Sequence, residues 1–165
     1  MSVAGTWLWF DEFADGTEAE LGSYHFTAGN ITTFARKFDP QGFHLSNEAA
    51  SKTHFGAQCA SGWHTAAAYM KCCAAYNFAG CDAAAANGKD LPPLGPSPGF
   101  ENLNWLKPVY VGDTITYFNT ITGKREMASR PDWGLVFAHN RGINQNGELV
   151  FRFDGKLLVA RRKGT

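Results

Sequence analysis

Phe38-Asp39-Pro40-Gln41-Gly42-Phe43-His44, then Phe55-Gly56-Ala57-Gln58-Cys59-Ala60-Ser61-Gly62-Trp63-His64, then an Ala-rich apolar run: this stretch decides the fold. The run predicts the longest helix of the chain, from about Gln58 to Phe78. Trp63, Ala67, Met70, Ala74 and Phe78 recur at helical spacing, and the remaining faces are mostly Ala, Cys and Gly. A helix apolar nearly all round belongs in an interior, here wrapped by a sheet. Upstream, a carboxylate (Asp39) and an imidazole (His44) stand five residues apart. Their loop is stiffened by Pro40 and loosened by Gly42. Gly62 falls early in the helix. An acid/base pair close to a helix N-terminus suits chemistry on a carbonyl compound.

Working outward, Thr27 reads as an N-cap and Gly29–Phe38 as a helix of about three turns. Ile31, Phe34 and Phe38 form its buried stripe. Pro40 cannot continue that helix and pushes Asp39 toward an extended conformation, so Asp39 is presented at a helix end. Ser46 starts a second short helix that runs through about Thr53. Glu18–Phe26 reads as an edge strand. Trp7-Leu8-Trp9-Phe10 within Met1–Gly16 reads as a short strand or an apolar arm. After the long helix, Asp82–Gly99 reads as a loop closed by Leu91-Pro92-Pro93-Leu94-Gly95-Pro96-Ser97-Pro98-Gly99. The last third is β. Strands are predicted at Glu101–Trp105, Thr114–Gly123, Trp133–Gly142 and Glu148–Arg161. In Thr114–Gly123, Ile115, Tyr117 and Ile121 share one face. Asn146-Gly147 signals a hairpin between the last two. The class is α+β, in one domain over 1–165 with residues 1–16 as an N-terminal arm.

Composition sets the outer bounds. A chain of 165 residues is long enough for a real core, and 44% hydrophobic residues with 13 Phe and 5 Trp fit a globular protein. Lys+Arg and Asp+Glu are 15 each, so the formal net charge of zero argues against nucleic acid or an anionic membrane as partner. No apolar run reaches the length of a membrane span, and no leader pattern is evident; the expected location is cytoplasmic. Cys59, Cys72, Cys73 and Cys81 lack paired ligand spacing and read as buried free thiols, so neither a metal nor a disulfide framework is expected.

The order helix, Asp-x-x-x-x-His loop, Phe-Gly, small-Ser-Gly-aromatic-His-Thr, long helix and antiparallel strands resembles the MaoC-like dehydratases, which have the hot-dog fold. Leu103-Asn104-Trp105-Leu106-Lys107-Pro108-Val109-Tyr110-Val111-Gly112-Asp113 and Ser129-Arg130-Pro131-Asp132-Trp133-Gly134-Leu135-Val136 extend the likeness, which runs from about Thr27 to Arg161. The resemblance implies an antiparallel sheet curled around the long helix. It implies a homodimer at least, a substrate tunnel near the subunit interface and an acyl-CoA or acyl-carrier thioester as substrate. The reaction implied is reversible hydration of a 2-enoyl-CoA to a 3-hydroxyacyl-CoA, with no metal or redox cofactor. Asp39 and His44 match the two catalytic positions. Gly62 matches the glycine whose backbone N–H holds the thioester oxygen, and Ser61 and Trp63 flank it as substrate-binding candidates. The sequence departs from the family's Asp-x-Asn-Pro-x-His loop at Gln41 and Gly42. It carries Ser61 where a histidine is common, and Met70 where some members carry a serine.

Hydration of an unsaturated thioester needs a base for water, a proton for the α-carbon and a donor for the thioester oxygen. Asp39 fits the base, His44 the group that orients water, and the Gly62 N–H the oxyanion donor. Blander readings stand beside these: Asp39-Pro40 as loop punctuation, Gly62 as room for helix–strand packing, and His64 as a structural histidine. Arg161-Arg162-Lys163 reads either as a solvated terminus or as a contact for CoA phosphates. Two other functions compete. A hot-dog thioesterase would want a carboxylate on or near the central helix, which has none between Gln58 and Gly80. A non-catalytic acyl-thioester-binding subunit fits the altered loop, but the retained Asp39 and His44 oppose it.

Overall fold

The computed structural model describes residues 7–93 and 95–162. Thr27 caps the first helix, α1 (Ala28–Phe38). Its hydroxyl accepts the Asn30 N–H while the Asn30 side chain accepts the Thr27 N–H. The chain then makes two short helices, α2 (Gly42–Leu45) and α3 (Asn47–Ser51), before the long α4 (Gly62–Ala86). Five strands complete the fold: β1 (Glu18–His25), β2 (Gly99–Trp105), β3 (Thr114–Glu126), β4 (Trp133–Ile143) and β5 (Leu149–Ala160). They form one antiparallel sheet in the order β1-β3-β4-β5-β2, so β1 and β2 are its edges. This is the hot-dog arrangement that the resemblance implies.

The sheet turns one face to α4. Ile115 and Tyr117 of β3 point inward, and Val150 and Phe151 of β5 join them under Ala68, Tyr69 and Cys72 of the helix, while Ile121 is buried in a second cluster beyond them. The expected β3 face is therefore the core face. At its middle, where the alternation puts Asn119 inward, a polar knot replaces an apolar contact. Asn140 Oδ1 accepts both the Tyr69 hydroxyl (2.5 Å) and the Asn119 amide (2.7 Å), so its buried acceptor is satisfied from helix and sheet together. The Asn146-Gly147 hairpin also forms, with Asn144 Oδ1 accepting the N–H groups of Asn146 and Glu148.

Four expectations need correction. Helix α4 begins at Gly62, because the donors before it are spent elsewhere: Ala60 N–H on Val109 O (2.7 Å), and Cys59 in a bridge with Tyr110. It ends at Ala86, so the segment 82–86 is helix; four consecutive alanines are the strongest helix formers available. The stripe Trp63–Met70–Phe78 is not interior: these side chains are 55%, 59% and 57% exposed, and the buried face carries His64, Thr65, Ala68, Tyr69 and Cys72. A five-stranded sheet covers one side of a helix, not its whole circumference. On α1, Phe38 is exposed and Ala35 takes its place in the core, because the chain turns outward at the helix end.

The N-terminal segment from Trp7 packs on the protein's own core. Phe10 is buried with Ile121, Val136 and Val159. The Lys124 ammonium donates to the carbonyls of Phe10, Asp11 and Phe13 at 3.2, 3.2 and 2.8 Å, holding the 3-10 turn Phe10–Glu12 against β3. Residues 1–6 of the expected arm, Leu94 of the Pro-rich loop and Lys163 of the basic tail lie outside the described residues.

Candidate active site

Asp39 closes α1. Its N–H bonds Ala35 O, and its backbone leaves the helix at φ −153° as Pro40 requires. The chain then winds into α2 through His44 N–H to Gln41 O (2.9 Å) and Ser46 N–H to Gly42 O (3.2 Å). Gly42 thus starts a helical turn, close against Ala49, and does not loosen the loop. That turn carries His44 back beside Asp39, with Nε2 3.3 Å from Oδ2. Gln58 fastens the turn from behind: its buried amide donates to His44 O and to Thr32 Oγ1, both at 2.9 Å.

The other imidazole nitrogen fixes the tautomer. Nδ1 lies 2.7 Å from Cys59 O, and a carbonyl only accepts, so Nδ1 carries hydrogen. In the neutral ring Nε2 is then an acceptor, facing a carboxylate oxygen that is also an acceptor. Two acceptors this close favour something that donates to both: a shared proton, or one water offering its two hydrogens. The water's oxygen would keep its lone pairs free to point away from the pair.

Asp39 has two further partners. Ser61, the N-cap of α4, donates its hydroxyl to Oδ2 at 2.7 Å, and Gln41 donates its amide to Oδ1 at 2.8 Å. Burial opposes ionisation of Asp39, but these hydrogen bonds and the adjacent imidazole outweigh it and hold the carboxyl below its ordinary value. The Cys59 thiol beside His44 is pushed up to about 11 by burial, so it is protonated at neutral pH and is no nucleophile.

These groups line a cleft of about 440 Å³. Asp39, Gln41, His44, Ser61 and Gly62 are among its lining residues, and Phe43, Phe55, Trp63, Trp105 and Pro108 add aromatic and apolar lining. Gly62 is the first residue of α4, so its N–H has no intrahelical acceptor, and the helix dipole favours negative charge there. The Trp105 indole donates to Gly62 O at 2.8 Å and lies against the glycine, where an added Cβ would come within 2.5 Å of the ring. Close packing and an open N–H therefore coexist at Gly62. Trp63 meets Trp105 edge to face at the cleft rim.

The structure brings all five candidate residues, Asp39, His44, Ser61, Gly62 and Trp63, to this one cleft. It also adds Gln41, the Cys59 carbonyl and Trp105. Gln41 is legible as an amide two residues past Asp39 in a tight turn; nothing local marks a carbonyl 15 residues from His44. His64 is a core residue: it is buried, stacked on Phe34 with centroids 4.6 Å apart, and flanked by Phe26 and Tyr24. Arg161 and Arg162 pair with Glu126 and Glu12 and do not line the cleft. Among the described residues no cluster of metal-ligating side chains occurs and no helix is long and apolar enough to cross a membrane.

Comparison with known proteins places the chain in a family. A family profile described as "MaoC like domain" matches residues 12–132. The solved structure of a MaoC-like dehydratase from Rhodospirillum rubrum is 33% identical, with a TM-score of 0.80 over 94% of this chain and 98% of that one. The uncharacterized protein YdeM of Bacillus subtilis is 28% identical over 151 residues, 92% of this chain and 98% of the relative. Mesaconyl-CoA hydratase of Cereibacter sphaeroides is 36% identical over 64 residues, which are 39% of this chain and 18% of the hydratase. The matched segment thus spans less than a fifth of that enzyme's length.

Proposed function

This chain belongs to the MaoC-like domain family, and we propose that it adds water reversibly to a 2-enoyl thioester, carried by CoA or an acyl carrier, to give the 3-hydroxyacyl thioester. One observation carries the reading: His44 Nε2 and Asp39 Oδ2 face each other across 3.3 Å in a cleft that also holds the N-terminus of α4.

A water held between the two acceptors has its oxygen aimed at the substrate's β-carbon. As the carbon–oxygen bond forms, Asp39 takes one proton and the double bond's electrons move toward the thioester. The resulting enolate oxygen lies on the Gly62 N–H, where the helix dipole stabilises it. His44 orients the water and assists return of the proton to the α-carbon, which restores Asp39 and completes the addition. Water and the thioester supply every atom of the product, and Asp39 ends in the state in which it began. Trp63 and the other apolar walls bound the space for the acyl chain.

The partner we propose is a second copy of this chain. Trp63, Met70 and Phe78 form an exposed apolar line on α4, and Phe100 and Trp105 of edge strand β2 are exposed with Leu106 just past its end. Large exposed apolar patches of this kind mark association surfaces.

The test is to mix purified protein with a panel of enoyl-CoA thioesters, following loss of the conjugated-thioester absorbance and free thiol together. Absorbance loss without thiol release is the expected result. Thiol release would make it a thioesterase. Silence in both channels across short, long and branched acyl groups would favour a non-catalytic binding subunit.

A further inference from the structure

We propose that Ser61 is a positioning residue for Asp39, holding the carboxylate in the orientation that faces His44, and does not itself bind the substrate; this rests on the hydratase reading above. Three observations carry it. Ser61 is 1% exposed, so its hydroxyl is shielded from solvent. That hydroxyl has a single hydrogen, and it is committed to Asp39 Oδ2 at 2.7 Å. One of its lone pairs accepts the Trp63 N–H at 3.3 Å, which ties the oxygen to the first turn of α4.

A thioester oxygen needs a donor. Ser61 cannot be that donor without releasing Asp39, whereas the neighbouring Gly62 N–H is not used by its own helix. The chemistry therefore divides between adjacent residues: Gly62 faces the substrate and Ser61 faces the base. The line from the Trp63 N–H through Ser61 to Asp39 joins the positive end of α4 to the carboxylate, so each hydrogen bond polarises the next. Gln41 holds the other oxygen, Oδ1, from the opposite side at 2.8 Å. With both oxygens hydrogen-bonded, rotation of the carboxylate plane is restrained, and its remaining acceptor direction is kept for the shared water.

The experiment measures two things on wild type, Ser61→Ala, Ser61→Gly and Ser61→Thr. The first is the titration of the Asp39 side-chain carboxyl by carbon-13 NMR, which does not depend on any activity. The second is kcat and KM against pH for an accepted enoyl thioester. Glycine is nearly as good as serine at a helix N-cap, so Ser61→Gly removes the hydroxyl while keeping the start of α4 even where Ser61→Ala fails to fold. Removing the hydroxyl should move the Asp39 midpoint upward and carry the acid limb of the rate profile with it. The same change should lower kcat roughly tenfold to a hundredfold, the weight of one charge-assisted hydrogen bond. KM should hold within about twofold, since the Ser61 hydroxyl serves the base and leaves substrate binding to its neighbours. Ser61→Thr, which keeps the hydroxyl, should restore the midpoint. An unmoved Asp39 midpoint, or a raised KM at unchanged kcat, overturns the proposal. A midpoint that moves in a protein with no hydratase activity on the panel keeps Ser61 as the anchor of Asp39 and overturns the hydratase reading instead.

Discussion

Asp39→Asn changes one atom's chemistry and almost nothing of the shape. The side chain keeps an oxygen that can sit at the Oδ2 position and accept the Ser61 hydroxyl now found at 2.7 Å. Its new NH2 then falls where Oδ1 accepted the Gln41 amide at 2.8 Å. Gln41 is exposed and can rotate its amide to present oxygen, so no polar group is stranded. Folding stability should therefore change by no more than about 1 kcal/mol. The catalytic loss is larger, because an amide cannot take a proton from water. A positioned general base contributes roughly 10²–10⁴-fold, which is about 3–5 kcal/mol of barrier. The assay is absorbance loss of an accepted enoyl-CoA under substrate saturation, with thermal melting and circular dichroism on the same sample. Turnover within about threefold of wild type in a folded variant would refute the assignment of Asp39 as base.

Other expected outcomes follow from the same geometry. In Gly62→Ala the new methyl must displace the Trp105 indole, which lies 2.5 Å from the Cβ position; overpacking of this kind costs about 1–3 kcal/mol, read as a lowered melting midpoint together with a weakened kcat/KM. Because hydrogen bonding holds the Asp39 carboxyl below its ordinary value of 3.8, its ionised form is favoured in the fold. The stability it contributes is present above that value and is lost as pH falls through the lower folded-state value, so the melting midpoint should fall in acid more steeply for wild type than for Asp39→Asn; equal acid loss in both would contradict this. Burial pulls His64 down from 6.5 to about 4, and its Nδ1 has no hydrogen-bond partner among the described residues. The unfolded chain therefore binds the extra proton between those values, and stability falls as pH drops from 6.5 toward 4. His64→Phe should flatten the melting midpoint across that window, and an unchanged slope would count against it. Met70→Glu, placed on the exposed line of α4, should shift sedimentation from dimer to monomer; a dimer that persists would put the interface elsewhere.

The legible part of this protein lies in short-range chemistry. Thr27 and Pro40 bound α1 from either end, because a cap and a residue without an N–H act within one turn, and so Asp39 has to emerge at a helix terminus. The alternation of Ile115, Tyr117 and Ile121 chooses the inner face of β3, since a strand's period of two needs no partner to be read. The Asp39–His44 spacing and the glycine after Ser61 mark the site through their resemblance to a family. The start of α4 is not legible in the same way. Gln58, Cys59 and Ala60 look helical locally, yet their backbone groups are claimed by Val109, Tyr110 and Val111, about 50 residues further along the chain.

What tertiary structure alone decided is of a different kind. It set the 3.3 Å between Nε2 and Oδ2, and it fixed the His44 tautomer by presenting the Cys59 carbonyl. It turned the Ser61 hydroxyl toward Asp39, and it laid Trp105 on Gly62. It also left Trp63, Met70 and Phe78 uncovered on a helix that is apolar nearly all round. Periodicity and caps report what a residue does to its own few neighbours. A proton's position, or which of two apolar faces meets the sheet, depends on atoms brought together from distant parts of the chain.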